Sequence, residues 1–170
     1  MATTKYLGNG EVISADFKTV KWVGKTKGGD AITISLFDAI NMGNIDWTFA
    51  EKNDVVPQIV FTACYSNTDS ASASNYEPWE IEIDTSITGG ASEILLGAGV
   101  FYVDNTPVAL TRGGGQWTVE REYREINADG DRGPVKGRVV MEGSRATLTM
   151  NALTMLTRLS DLYTSIEASV

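Results

Sequence analysis

The stretch 110–150 constrains the fold more than any other part of this chain, because it contains two long alternating runs separated by turn residues. Three consecutive glycines at 113–115 lead into a run in which Trp117 and Val119 alternate with polar residues. A second alternating run ends at Met150. Alternation with a period of two is typical of strands. We therefore predict two strands joined by a long polar loop.

The predicted loop carries charges of both signs. From Glu120 to Arg145 the sequence contains six acidic and six basic residues, although the whole chain has a net charge of -8. Interleaved opposite charges pair more readily with another protein surface than with a polyanion. Residues 127–131 and 132–134 favour tight turns, which give the loop a defined shape. Two interpretations stay open at this point: a loop that contacts a partner, and a solvated hairpin whose charges serve solubility.

Shorter strands are predicted through the rest of the chain, since apolar and polar residues alternate there between turn signals. The first two strands, residues 11–24 and a strand that ends at Leu36, form a hairpin around a turn at 25–30. Single strands follow at Ile45–Phe49, 55–64 and 79–84. A second hairpin joins the strands 94–103 and 107–110 around a turn at 104–106. Residues 36–40 break the alternation and predict a short helical turn closed by Gly43. Residues 3–10 have no periodicity and predict a flexible arm.

One helix is predicted after the second long strand. Leu153, Leu156, Leu159 and Tyr163 recur at helical spacing, and Asn151 is an acceptable N-cap. Leucines at this spacing are typical of core packing. We therefore expect the helix to cover one face of the sheet.

The sequence offers few residues for catalysis or metal binding. It contains no histidine and one cysteine, Cys64, so histidine-dependent nucleophilic catalysis, an intramolecular disulfide and an ordinary zinc site are excluded. Cys64 lies in an apolar run and is interpreted as a small buried side chain. The glycines at 113–115 lack a following phosphate-loop lysine, and Asp129 lacks the glutamate that would complete a calcium loop. We expect a protein that is not an enzyme and holds no cofactor or metal.

Size and charge set the outer limits. A chain of 170 residues with 42% hydrophobic content suffices for one domain with a core. An isoelectric point near 4.5 argues against tight binding of nucleic acid through charge. The sequence shows neither an apolar run of membrane-spanning length nor a signal-peptide pattern at its start, and we expect a soluble protein made in a cytosol.

Two long segments resemble one protein family. The run TRGGGQWTVEREYREINADGDRGPVKGR, residues 111–138, closely resembles a signature of the major tail tube proteins of long-tailed, siphovirus-like bacteriophages. The run from Val20 to Ser66, followed by PWEIEI at 78–83, is similar to the other half of that family. Together these segments cover most of the chain.

The order of the two halves differs from the family pattern and looks like a circular permutation. Residues 1–84 resemble the family's C-terminal half, and residues 93–170 resemble its N-terminal half. The stretch 85–92, with two glycines among small polar residues, is interpreted as a flexible connector between them. The resemblance nevertheless implies a single tail tube domain over 1–170.

The resemblance implies a structural role in the virion. Tail tube proteins form hexameric rings that stack into a hollow tube for genome delivery, and their fold is a β-sandwich or barrel of two packed antiparallel sheets with one flanking α-helix. Implied partners are further copies of the chain and the tape measure, tail terminator and baseplate proteins, with DNA passing through the lumen without specific binding. The implied location is the virion tail, after synthesis in the host cytoplasm. The alternative function is a carbohydrate-binding jelly roll that uses an exposed Trp47 or Trp79 as a sugar platform.

Two sets of residues are candidates for assembly. The first set is a ring-stacking loop, in which two apolar residues without an obvious core lie among charges: Glu122, Tyr123, Arg124, Glu125, Ile126, Asp129 and Arg132. The second set is an acidic strand face that we expect to point into the lumen: Glu80, Glu82 and Asp84. Like charge would keep DNA from adhering there during its passage.

Overall fold

The computed structural model describes residues 5–8, 10–49, 54–65, 77–83, 95–126, 128–129, 133–154, 159–163 and 166–169. Over these residues the fold is mainly β, as the sequence predicts, and every strand pair is antiparallel. The strands are β1 (Lys5–Gly8), β2 (Lys18–Thr26), β3 (Ala31–Asn41), β4 (Gln58–Ala63), β5 (Trp79–Ile83), β6 (Leu95–Val103), β7 (Thr106–Pro107), β8 (Leu110–Glu125), β9 (Val139–Thr154) and β10 (Ile166–Ser169). One short α-helix, α1 (Leu159–Leu162), and a 3-10 turn at Ser14–Asp16 are the helical elements of the described chain.

Eight of these strands form one sheet in the order β7-β6-β2-β3-β4-β9-β8, with β5 paired to β3. β3 is the branch point of this sheet. Its first part, from Ile32 to Leu36, pairs with β5, and its last part, from Ala39 to Asn41, pairs with β4. Between these parts Asp38 adopts a φ of 45°, and the pairing with β2 shifts register. The predicted helical turn at 36–40 is therefore wrong, because a bulge inside a strand also breaks the alternation of side chains.

The sheet curls until its two outer parts share one core. β6 approaches β8 so closely that a Cβ on Gly115 would lie 2.6 Å from the Phe101 ring. The largest fully buried side chains come from five strands and α1: Val20, Leu36, Ile59, Phe101, Met150 and Leu162. The sheet is thus a curved layer folded over a single core, which is consistent with a sandwich or barrel.

Two further glycines make room for a tryptophan inside the curve. The indole of Trp22, on β2, lies over Gly24 of the same strand and Gly99 of β6. A Cβ would lie 2.1 Å from this indole at Gly24 and 2.3 Å from it at Gly99. Such distances are far below ordinary contact, so these glycines are required by packing. The indole in turn covers the backbone of two adjacent strands.

The predicted helix over 153–163 is mostly wrong. β9 continues through Asn151 to Thr154, because β4 pairs with it at Asn151 and β8 pairs with it at Thr154. Sheet hydrogen bonds on both sides outweigh the leucine spacing in this segment. The helix that does form, α1, places Leu162 in the core, and its carbonyl accepts a 2.9 Å hydrogen bond from the Asn41 side chain. Residues 155–158 lie outside the described residues.

The predicted strand from Ile45 to Phe49 is also wrong. Residues 44–49 run without a strand partner, and Trp47 alone of the three alternating apolar residues turns inward. Its indole nitrogen donates a 3.2 Å hydrogen bond to the Tyr163 hydroxyl, and its ring packs edge-on against Phe49. The alternating pattern arises because Trp47 points inward, whereas the apolar residues two positions before and after it, Ile45 and Phe49, are exposed.

The predicted flexible arm at 3–10 instead contains a strand. Residues 5–8 form β1, which pairs with β10 from Lys5↔Ser169 to Gly8↔Ile166. Segments near both ends of the sequence therefore lie side by side, an arrangement in which circular permutation is tolerated. The connector predicted at 85–92 lies outside the described residues, so the permuted order stays a prediction.

Two predicted hairpin turns are confirmed. The turn after β2 is closed by hydrogen bonds between Thr26 and Asp30, with Gly29 at a φ of 98°. The turn between β6 and β7 places Asp104 and Asn105 at positive φ, as expected of a two-residue hairpin.

Candidate assembly surfaces

The β8–β9 hairpin is longer than the rest of the sheet. Its strands pair from Leu110↔Thr154 to Glu125↔Val139, whereas β4 pairs with β9 only between Thr147 and Asn151. Beyond Ala146, the hairpin has no third strand among the described residues. We call residues 120–126 together with 138–145 the arm. A strand rises about 3.3 Å per residue, so the arm extends roughly 20 Å past the core.

The arm exposes apolar side chains on both of its faces. Tyr123 is paired with Met141 on one face, and Arg124 is paired with Val140 on the other. The large apolar side chains of the arm are 42–59% exposed: Tyr123, Ile126, Val139, Val140 and Met141. Tyr123 and Ile126 therefore enter no core formed by the described residues, as the sequence analysis expects. A contiguous group of this kind is typical of a contact surface.

The charged candidates of the stacking loop surround these apolar side chains. Glu122 and Glu125 are exposed on β8, and Asp129 is exposed in the following turn, whereas Arg132 lies outside the described residues. Arg124 forms an ion pair with Glu142 across the hairpin. Glu142 is the extra residue of a bulge, since Glu122 pairs with Gly143 and the next pair is Tyr123↔Met141. Because of this extra residue, the side chains of β9 before Glu142 and those after it follow different alternations between the two faces of the hairpin.

A cluster around Glu77 fixes the base of the arm. The Glu77 carboxylate accepts hydrogen bonds from the Trp79 indole and, at 3.1 Å, from the Ser144 hydroxyl. It also pairs with the Arg121 guanidinium at 3.2 Å, and hydrogen bonds of Arg121 to Glu77 and to Tyr123 raise the pKa of Arg121. The Glu77 side chain is only 16% exposed. This cluster joins the segment before β5 to both strands of the arm, and the sequence analysis missed it because Glu77 lies in a polar stretch.

β5 presents the acidic face that the sequence predicts. Glu80 and Glu82 are exposed and lie in register with Ser35 and Thr33 of β3, whereas Asp84 lies outside the described residues. The opposite face is only partly covered. Trp79 packs edge-on against Trp117 at 5.2 Å between ring centroids, but Ile81 is 40% and Ile83 is 53% exposed.

Five of the described strands pair on one side only: β1, β5, β7, β8 and β10. Among the described strands, β5 pairs only with β3, and β8 pairs only with β9. An open edge offers unpaired amide and carbonyl groups to another strand, most of all on a strand as long as the 16-residue β8. Sequence patterning cannot identify such edges, because it gives the strands without their neighbours.

The tryptophans proposed as sugar platforms are half-buried. Trp47 is held by Tyr163, and Trp79 is packed against Trp117 with the Arg121 guanidinium 5.8 Å from its ring centroid. Neither ring is fully exposed, and the carbohydrate-binding alternative stays a prediction.

Other features of the described chain give no catalytic arrangement. A cavity of about 320 Å³ lies between Trp22, Phe101 and Trp117, and the buried Trp117 indole nitrogen has no hydrogen-bond partner. Cys64 is half-buried, and burial, with Asp38 nearby, raises the pKa of its thiol. Within the described ranges, no histidine, cysteine or carboxylate groups cluster as a metal site, and no helix is long and apolar enough to cross a membrane.

The chain was compared with known proteins at three levels. A scan against protein-family models matches no family, and searches of curated proteins and of solved structures find no match. The observations that bear on function are therefore the arm and the open strand edges.

Proposed function

We propose that this protein is a structural subunit that assembles into hexameric rings, and that these rings stack into the tail tube of a long-tailed bacteriophage. The observation that carries the proposal is the arm, a two-stranded extension whose apolar side chains are exposed on both faces. An isolated hairpin with such side chains is poorly stable in water unless another surface covers it. The most economical cover in a self-assembling protein is a further copy of the same chain.

Ring formation would use the open strand edges. If β8 of one copy and an edge strand of its neighbour pair through their backbones, six copies join their sheets in a closed ring and the two paired edges are no longer exposed. Ile81 and Ile83 on β5 supply apolar area beside such a junction. A closed ring also accounts for a chain that has long strands with few partners of its own.

Stacking of rings would use the arm. Burial of a large apolar side chain stabilises a contact by about 1–3 kcal/mol, whereas an exposed ion pair contributes about 0–1 kcal/mol. Tyr123 and Ile126 should therefore dominate the stacking energy. Arg124 already pairs with Glu142 in the same chain, so its contribution to another copy is small. Six such contacts act together at each junction between rings.

The lumen would be lined by the acidic face of β5. Glu80 and Glu82 are exposed, and a negative wall keeps DNA from adhering during its passage. In the assembled tail, the further partners would be the tape measure, tail terminator and baseplate proteins. The site of action would be the virion tail.

The proposal is tested by mass in solution and by an arm variant. Analytical ultracentrifugation should give a species of six times the 18.4 kDa chain mass, together with larger multiples of that ring. The double variant Tyr123→Ala with Ile126→Ala should retain the ring and the thermal stability of the fold but lose the larger species. The matched control replaces Val12 and Ile13, two apolar residues with similar exposure away from the arm, by alanine.

Two outcomes would contradict the proposal. A mass equal to one chain at all protein concentrations would contradict ring formation. That mass is expected of the alternative, a carbohydrate-binding module. Loss of the fold itself in the arm variant would show that Tyr123 and Ile126 belong to the domain core.

A further inference from the structure

A second group of exposed apolar side chains lies on residues 42–49, which we call the receiving segment. Met42 is 58% exposed, Ile45 is 53% exposed and Phe49 is 75% exposed. The segment is nevertheless held in place. The Asn41 side chain accepts a 2.8 Å hydrogen bond from the Gly43 amide, and Trp47 bonds to Tyr163. An anchored segment that keeps its apolar side chains in solvent is typical of a preformed contact surface.

A groove of about 690 Å³ runs beside this segment. Its lining includes Asp46 and Thr48 of the receiving segment, together with Asp54, Pro57 and the β8 residue Arg112. Arg112 forms an ion pair with Asp54, so these side chains leave the groove with one net negative charge. The groove lining is mixed, because it also includes Val56 and Val60, whereas the exposed Ile45 and Phe49 lie on the receiving segment outside this lining.

The groove and the arm lie at opposite ends of the β8–β9 hairpin. Arg112 is near the start of β8, and the Pro57 carbonyl accepts a 3.0 Å hydrogen bond from the Ala152 amide near the end of β9. The arm ends at Glu125 and Val139. Arg112 precedes Glu125 by 13 residues, two of which are taken up by the bulge before Gly115, so the two ends lie roughly 35–40 Å apart along the strand. The two apolar surfaces of one copy therefore cannot meet each other.

Two different surfaces at opposite ends of one chain favour head-to-tail association. When such surfaces join identical copies, each new copy presents a free surface for the next, and the contact propagates. Their charges are compatible with this order. The turn beyond the arm exposes both Asp129 and Lys136, and Lys136 supplies a cation that can pair with the Asp46 carboxylate of the groove. Both surfaces also expose apolar area of similar character, which a joint contact would bury.

We propose that the receiving segment and its groove form the docking site for the arm of a second copy of this chain, located in the adjacent ring. This inference rests on the proposed stacking of rings and adds the surface that receives the arm. The apolar contact joins Tyr123 and Ile126 to Ile45 and Phe49. Lys136, in the turn beyond the incoming arm, faces Asp46 and sets the register of the contact.

Cross-linking locates the contact directly. In a Cys64→Ser background, the double variant Thr48→Cys with Glu125→Cys, which keeps the four apolar side chains of the contact, is treated with a short bismaleimide in samples whose tubes are verified by electron microscopy. We expect a ladder of covalent multimers on a denaturing gel, and single chains when either new cysteine is present alone. Verified tubes that give no ladder would overturn the docking site and leave the proposed function intact.

Variants of the groove give an independent measurement. Ile45→Ser with Phe49→Ser should preserve the ring but shorten tubes at least tenfold, whereas Val12→Ser with Ile13→Ser should leave tube length unchanged. Asp46→Lys should shorten tubes, and Lys136→Glu in the same chain should restore them. Tubes of normal length from the Ile45 and Phe49 variant would refute this inference. Absence of rings and tubes in the unmodified protein would instead refute the proposed function.

Discussion

The packing of Trp22 against glycine gives a prediction that can be worked out from distances. Replacing Gly99 by alanine adds a Cβ that would lie 2.3 Å from the Trp22 indole nitrogen. Gly97 lies two residues earlier on the same strand, and a Cβ there would meet nothing within 4 Å. Neither glycine has a positive φ, so the two substitutions differ in packing and not in backbone strain.

The expected stability changes have opposite signs. In Gly99→Ala the indole has to move by more than 1 Å, but Gly24 and the adjoining core confine it, and overpacking of this kind costs about 1–3 kcal/mol. Gly97→Ala should raise the free energy of unfolding by up to about 1 kcal/mol, because alanine restricts the unfolded chain. Urea unfolding of both variants, followed by tryptophan fluorescence at one protein concentration, measures the difference. Equal changes in both variants would refute the packing of Trp22 against β6.

Three further predictions concern single side chains or pairs. Glu77→Ala should lower the free energy of unfolding by about 1–3 kcal/mol, because it deprives two part-buried donors of their acceptor; Glu77→Gln should lose less, and equal losses would contradict the hydrogen-bonded cluster. Glu80→Lys with Glu82→Lys should leave rings intact, but these rings should retain DNA in a salt-dependent manner. Rings of the variant that retain no more DNA than rings of the unmodified protein would contradict a lumen position. Burial raises the pKa of Tyr163 above its usual 10.0. The folded state therefore binds this proton more tightly than the unfolded state does. The contribution of Tyr163 to the free energy of unfolding is present below pH 10 and is lost as the pH rises further. Thermal unfolding should therefore show that Tyr163→Phe loses less stability at alkaline pH than the unmodified protein does. An identical loss in both proteins would mean that other groups cause it.

Sequence patterning predicts the strand content well where each strand has one buried face. The runs that became β8 and β9 alternate strictly near Trp117 and Leu148, and both hairpin turns carry residues suited to positive φ. These signals are local, because they depend on side-chain direction and turn conformation. The mainly β class follows from them.

The errors arise where contacts distant in sequence decide the local structure. Leucine spacing after Met150 is compatible with a helix, but β4 and β8 hold that segment as a strand as far as Thr154. Alternation at residues 45–49 is compatible with a strand, but no neighbouring strand pairs there and Trp47 acts as an anchor instead. β1 forms only because β10 lies beside it.

The assembly surfaces are predicted in part. Tyr123 and Ile126 stand out in sequence as apolar residues among charges, and they are exposed in the folded chain. The acidic alternation after Trp79 likewise identifies an exposed strand face. The open edges and the groove beside Asp46 were not predicted, because each is built from segments that only the fold brings together.

Negative-stain electron microscopy of the purified protein tests the central claim most directly. The account predicts rings with sixfold symmetry and an open centre, and hollow tubes made by stacking these rings along one axis. Particles the size of a single 18.4 kDa chain, unchanged at high protein concentration, would contradict the claim that this protein is a self-assembling tube subunit.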